Sequence, residues 1–238
     1  MFGTGKIQYD RALTVFSPEG RLYQVEYALE AVRRGTLIVG IKTEKNVCLA
    51  AQIKIASPLM EIDSIDKLFK IDEHIGCAIS GLHADSRVLI NYARVQAQSY
   101  RLTYDEPVRL NMLVKSIADL KQLYTQYGGI RPFGCSLFFI GYDSDGPQIF
   151  TTSPSGIYRS FKAYALGSGE TIAREFIEKE YDPNLSLREI QILAIRAIKE
   201  STEEDITTET VKVSHISSEE RRYILLSKSE IADLLVEL

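Results

Sequence analysis

No stretch of this 238-residue chain approaches the roughly 20 consecutive apolar residues that a membrane-spanning helix needs. No membrane partner is therefore expected. Basic clusters are equally scarce. The formal net charge is −4 and Lys and Arg are scattered, which argues against a nucleic-acid partner. Only three cysteines and three histidines are present. Cys48, Cys77 and Cys135 lie far apart, each within an apolar run, so neither a CxxC pair nor a zinc spacing exists. They read as small buried hydrophobes. His74, His83 and His215 form no ligand pattern, so no metal and no other cofactor is expected.

Other motifs are missing too. There is no G-x-S-x-G elbow and no HExxH pair. Gly3-Thr4-Gly5-Lys6 lacks both the preceding strand and the Ser or Thr after Lys6 that a phosphate loop requires; it reads as a mobile tail. Gly167-Ser168-Gly169 opens a helix and has the form of an anion-binding turn, but a tight strand-to-helix connection explains it equally well. The opening MFGTGKIQYD has no apolar signal-peptide core, so a cytoplasmic location is expected and the acceptor-like Asn184-Leu185-Ser186 carries no meaning.

What remains is an ordinary globular balance, 45% hydrophobic and 25% charged, without linker or low-complexity stretch. One domain over 1–238 is expected. Leu22, Val25, Leu29 and Val32 recur at helical spacing and predict a helix over 20–32, after the turn Ser17-Pro18-Glu19-Gly20. Strands are predicted over 36–42, 47–53, 67–71 and 75–80. Val88, Leu89, Tyr92 and Val95 mark a helix over 82–102; Leu113, Ile117, Leu120 and Tyr124 mark another over 107–127, with Pro107 at its first position. Strands resume at 135–142, 148–152, 157–159 and 163–166. Helices 170–180 and 186–201, strands 212–216 and 222–226, and helix 228–236 complete the chain, with Glu203-Glu204-Asp205 as a solvated loop. Hairpins grouped apart from helices indicate an α+β class with antiparallel sheets.

Three blocks carry a family resemblance. YDRALTVFSPEGRLYQVEYALEAV, from Tyr9 to Val32, resembles the N-terminal signature of proteasome α-type subunits. YTQYGGIRPFG, from Tyr124 to Gly134, resembles a second hallmark. Ile79-Ser80-Gly81-Leu82, with Ala84-Asp85 and Arg87-Val88-Leu89, resembles a third. The resemblance runs from about Ile7 to the C-terminal helix and is looser after Glu170; residues 1–6 have no clear counterpart. It implies an N-terminal-nucleophile-hydrolase-like four-layer sandwich, two antiparallel β-sheets between helical layers. It also implies a seven-membered ring of α subunits stacked on catalytic β-type subunits, gating the entry of unfolded protein substrates and docking an ATPase regulatory particle or other activator.

The resemblance also assigns residues. Tyr9, Asp10, Pro18 and Tyr27 match the cluster that braces the gate tail, residues 1–12. Gly35, Lys67 and Leu82 match the pocket for an activator's C-terminal tail, with Lys67 on its carboxylate. Tyr127, Gly128 and Gly129 match the loop at the pore constriction. The helix 20–32 is expected to pack between subunits with its stripe buried by the neighbour. Alignment with the catalytic β-type chains places Thr36 at the nucleophile position after Gly35. The nucleophile there needs a free amine as base. Cutting before Thr36 would remove the signature helix, and Gln52 stands where the carboxylate is expected and cannot be anionic. The expectation is therefore a structural and gating subunit without catalytic residues. The alternative is a catalytically active N-terminal threonine hydrolase.

Overall fold

The computed structural model describes residues 14–57 and 59–238. Its elements run in chain order as α1 (Tyr23–Arg33), β1 (Ile38–Lys42), β2 (Asn46–Gln52), a 3-10 turn (Ile62–Ser64), β3 (Leu68–Asp72) and β4 (Ile75–Gly81). Helices α2 (His83–Tyr104) and α3 (Leu110–Gln126) follow, then β5 (Cys135–Asp143), β6 (Gly146–Thr152), β7 (Tyr158–Ser160) and β8 (Ala163–Leu166). Helices α4 (Glu170–Glu180) and α5 (Leu187–Glu200), strands β9 (Val211–Ser217) and β10 (Ile224–Leu225), and helix α6 (Lys228–Leu235) complete it.

The strands form two antiparallel five-stranded sheets, ordered β10-β9-β2-β1-β8 and β3-β4-β5-β6-β7. Alternation along each strand splits the apolar side chains between two layers. Ile38, Leu49, Ala78, Phe138 and Ile140 meet between the sheets. Val39, Ile41, Cys48 and Ala50 face away from them and pack on Ala173, Ile190, Ala194 and Ile198 of α4 and α5. On the second sheet Cys77, Ile79, Leu137 and Phe139 pack on Leu89, Ala93, Leu113 and Ile117 of α2 and α3. This is the expected four-layer sandwich. With both strand faces buried, the strands read as continuous apolar runs. Gly40 is a tight point between the sheets: a Cβ there would fall 2.4 Å from the Phe138 ring.

Local chemistry explains the helix starts. Ser186 and Glu189 form a capping box at α5, and Ser227 and Glu230 another at α6. Helix α1 starts at Tyr23, three residues later than the apolar spacing predicts. The reason is a tight turn in which the Gly20 N–H donates to Ser17 O at 2.8 Å and Gly20 takes φ +76°, a left-handed conformation. Helix α3 starts at Leu110, not Pro107, because the Asp143 carboxylate at the end of β5 accepts from the Leu110 N–H at 3.0 Å. The face of α2 also differs. Leu89 is buried as expected, but Ile90, Ala93 and Ala97 complete the stripe, while Val88 and Val95 are exposed. Alanines let the helix lie close to the sheet, a pattern that a search for large apolar residues passes over.

Candidate functional site

Of three sets of sequence-expected residues, two lie wholly among the described residues. The first surrounds the end of α1. Gly35 follows that helix with its N–H donating to Val32 O at 2.9 Å, and Ser80 Oγ donates to the same carbonyl at 2.9 Å. A Cβ on Gly35 would fall 2.3 Å from Ser80 Oγ and 2.8 Å from Gly81 N, so only glycine lets α1 close on β4. Gly81 leads directly into exposed Leu82 and the start of α2. Lys67, one residue before β3, lies alongside β4, its carbonyl accepting from the Ile79 N–H. The fold thus gathers Gly35, Lys67 and Leu82 around one strand end.

Lys67 is only 3% exposed. Its ammonium donates to the Thr36 hydroxyl, to Thr36 O and, at 3.4 Å, to Gln52 O. Among the described residues no carboxylate pairs with it, and desolvation pushes its pKa down to about 7. Gln52 points elsewhere, its amide donating to Thr202 Oγ1 and to Glu204, both at 3.3 Å. His83, the first residue of α2, is close enough to feel this lysine. Desolvation, then the Lys67 charge, lowers its pKa. His83 was absent from the expected pocket; its place directly after Leu82 was the available signal.

The turn before Thr36 and the helix α4 connection also meet here. The Ser168 N–H donates to Gly35 O at 2.7 Å, and the Gly167 N–H to Glu170 at 3.2 Å. The Gly167-Ser168-Gly169 segment is thus the tight strand-to-helix connection, and two of its amides have internal acceptors.

A second set joins two of the signature blocks. Asp85, in the first turn of α2, accepts from Arg131 through two bonds of 2.5 and 2.7 Å and from the Gly134 N–H at 2.8 Å. The Arg131 bonds first, and the Gly134 amide after them, hold the Asp85 pKa below its usual range. The Leu82 N–H donates to Gly134 O at 2.9 Å. The segment after α3 is therefore clamped to the start of α2. Tyr127, Gly128 and Gly129 project from that clamp. Tyr127 is exposed, Gly129 has φ +86°, and beyond the adjoining residues no described atom lies within 4 Å of where a Cβ would stand on either glycine. Neither Asp85 nor Arg131 was assigned a role from sequence, because a pairing across 46 residues leaves no local pattern.

Of the third set, Tyr9 and Asp10 lie outside the described residues, as does the tail 1–12. Pro18 sits exposed in the turn 17–20, and Ser17 beneath it is buried. Tyr27 is half exposed on α1 and stacks on Tyr23 with centroids 6.5 Å apart. The stripe of α1 is turned partly inward on its own chain, with Val25, Ala28 and Val32 buried against β4 and β5 and Leu22 and Leu29 half-buried.

One buried ion was not anticipated. Lys121 on α3 is wholly buried, and its ammonium donates to Cys135 O and Thr152 Oγ1, each at 2.9 Å. Burial brings its pKa to about 8. Leu120 and Tyr124, expected on the same face, are only half-buried around it.

Among the described residues no group of His, Cys, Asp or Glu could hold a metal, and no helix is long and apolar enough to cross a membrane. The three cysteines are free and buried.

Comparison with known proteins identifies relatives along most of the chain. A family model described as "Proteasome subunit" matches residues 32–216, and a second, describing the N-terminal signature of A-type proteasome subunits, matches residues 9–31. A proteasome alpha subunit from Saccharolobus solfataricus is 44% identical over 231 residues, 96% of each chain. Another proteasome alpha subunit, from Archaeoglobus fulgidus, is 48% identical over 223 residues, 94% of this chain and 90% of its own.

Proposed function

The chain belongs to the proteasome subunit family as an α-type member, and from that premise we propose that it is a non-catalytic ring subunit that gates a proteolytic chamber. Seven α subunits form a ring on catalytic β-type subunits. The tail of residues 1–12 obstructs the axial pore, and Tyr127, Gly128 and Gly129 line its constriction. Unfolded polypeptide passes through, and an ATPase particle or other activator docks on the outer face. Tyr9, Asp10, Pro18 and Tyr27 brace the tail when the pore opens. The setting is cytoplasmic.

The observation that carries the non-catalytic reading is the environment of Thr36. Its nitrogen is an amide in the intact chain, so it cannot serve as the base that an N-terminal threonine needs. The residue aligned with the β-type carboxylate, Gln52, is neutral and directs its amide to Thr202 and Glu204. Lys67 instead supports docking. It is a desolvated cation with no anion beside it among the described residues, next to the space-saving Gly35 and the exposed Leu82. A terminal carboxylate of an activator tail would supply the missing charge, a point-charge contact that suits lysine.

One contact favours the second reading, a threonine hydrolase: Lys67 donates to the Thr36 hydroxyl. The test separates the two. The purified chain should retain its intact mass, form a seven-membered ring by native mass spectrometry and hydrolyse no fluorogenic peptide. Turnover that disappears in Thr36→Ala would reverse the conclusion.

A further inference from the structure

Lys67 crosses the sandwich. It leads into β3 of the second sheet, and its ammonium reaches the start of β1 and the end of β2 in the first. Three oxygens surround Nζ there: Thr36 O, Gln52 O and the Thr36 hydroxyl. An ammonium has three N–H donors and no acceptor, so the charged form directs all three at these oxygens. An amine has two donors and one lone pair. Carbonyl oxygens cannot donate to that lone pair; a hydroxyl can. The amine form therefore keeps Thr36 O and Gln52 O, and the Thr36 hydroxyl turns round to donate to Nζ. Both forms are hydrogen-bonded within one backbone frame, so the buried lysine can change charge without refolding.

The two forms differ toward an anion. In the ammonium form the Thr36 hydroxyl only accepts, and an arriving carboxylate can take its place on the third N–H. In the amine form that hydroxyl fills the lone pair, and the nitrogen offers a carboxylate no charge. The ions on the surrounding elements are engaged with one another. Lys54 faces Glu204 at 3.9 Å, Lys212 faces Asp66 at 4.0 Å and Arg174 bonds Glu170 at 3.1 Å. Arg33 bonds Glu30, and Arg131 holds Asp85. Arg34 is exposed at the end of α1, and His83 at the start of α2 feels the Lys67 charge. Burial, not a neighbouring charge, brings the lysine's own pKa to about 7, so both forms are populated near neutrality.

We propose that docking of an activator's terminal carboxylate in this pocket takes up one proton from solvent, with Lys67 as its acceptor and the Thr36 hydroxyl as the group that closes the site in the amine form. The inference rests on the docking reading above and adds a control to it. A bound carboxylate favours the ammonium, and the coupling is reciprocal. Affinity is therefore full below about pH 7. Above it, affinity falls about tenfold for each pH unit until the bound lysine itself begins to titrate.

The test uses the particle assembled with β-type subunits and an octapeptide with the C-terminal sequence of the ATPase that stimulates it, once with a free carboxylate and once amidated. Calorimetry in buffers of different ionisation enthalpy counts the protons. The acid peptide should take up close to one proton per site at pH 8.5, and its Kd should rise about tenfold between pH 7 and pH 8.5. The amide should bind weakly throughout. In His83→Gln, which removes the other titrating group beside the lysine, uptake should persist at pH 8.5 and fall close to zero at pH 6. Lys67→Met should abolish both the uptake and the pH dependence. If it does not fold, Lys67→Arg, charged throughout, should bind without either. No binding of the acid peptide at any pH would overturn the docking reading itself. Binding that needs the free carboxylate and Lys67 yet takes up no proton at pH 8.5 would overturn the linkage and leave docking standing. Uptake lost in His83→Gln would move the proton to the histidine and overturn the role of Lys67.

Discussion

Replacing Lys67 by Met should stabilise the protein at mildly acid pH while weakening activator docking. The ammonium is 3% exposed, and its pKa falls from the ordinary 10.5 to about 7 through desolvation. Below pH 7 the lysine is charged in both folded and unfolded chains, and the folded state bears the full burial cost. Above about 7 the folded protein sheds the proton while the unfolded chain keeps it until about 10.5, so the parent gains stability across that window. That fall in pKa corresponds to roughly 5 kcal/mol, of which about 4 falls between pH 6 and pH 10. Met removes this dependence. It also removes the hydrogen bonds to Thr36 and Gln52, worth about 1 kcal/mol each. Relative to the parent, Lys67→Met should therefore gain on the order of 1–2 kcal/mol at pH 6 and lose about 2 at pH 10. For a chain of this size that swing is roughly 8–16 °C in Tm. Guanidinium unfolding of both proteins at matched concentration across pH 6–10 measures it. Parallel stability profiles, differing by less than about 1 kcal/mol between the two ends, would refute the reasoning. The same variant should lose docking affinity in a binding titration at pH 7, a loss that a purely structural lysine would not produce.

Arg131→Ala should cost about 1–3 kcal/mol, because it leaves the nearly buried Asp85 with only the Gly134 amide. The folded pKa of Asp85 is depressed, so its contribution is full above its unfolded value and is lost as pH falls through the folded one; Asp85→Asn should flatten the acid limb of a stability profile. Gly40→Ala should destabilise by about 1–3 kcal/mol or more, since the new Cβ would meet the Phe138 ring at 2.4–2.5 Å between two packed sheets; an unchanged unfolding midpoint would disprove that contact. In particles reconstituted with β-type subunits, deleting residues 2–5 should raise basal peptide hydrolysis without activator. Tyr27→Ala should leave basal hydrolysis low and blunt stimulation; equal stimulation of variant and parent would remove Tyr27 from the gate brace.

The site was legible in part. Gly35, Lys67 and Leu82 were named from the family resemblance, and the fold brings them to one strand end. Arg131 and Asp85 lie in two such blocks, yet their pairing was invisible, because it depends on α3 returning the chain across the sheet. Nothing in the helical spacing singles out Lys121. Only the arrival of Cys135 O and Thr152 Oγ1 from two other strands turns that position into a buried one.

By itself the sequence determined what local chemistry decides: hairpin runs of apolar strands, the two capping boxes, the turn at 17–20 and the signature blocks that carry the family. Periodicity also located α1, α2 and α3, because an apolar stripe is a property of the segment alone. Tertiary structure decided what depends on partners distant in sequence. It put Asp143 at the start of α3 and so moved that helix from Pro107 to Leu110. It chose Ile90, Ala93 and Ala97 over Val88 and Val95, because closeness to the sheet favours small side chains over large ones. It set Lys67 among Thr36 and Gln52 oxygens, away from any described carboxylate, since charge compensation is a matter of which strands end side by side.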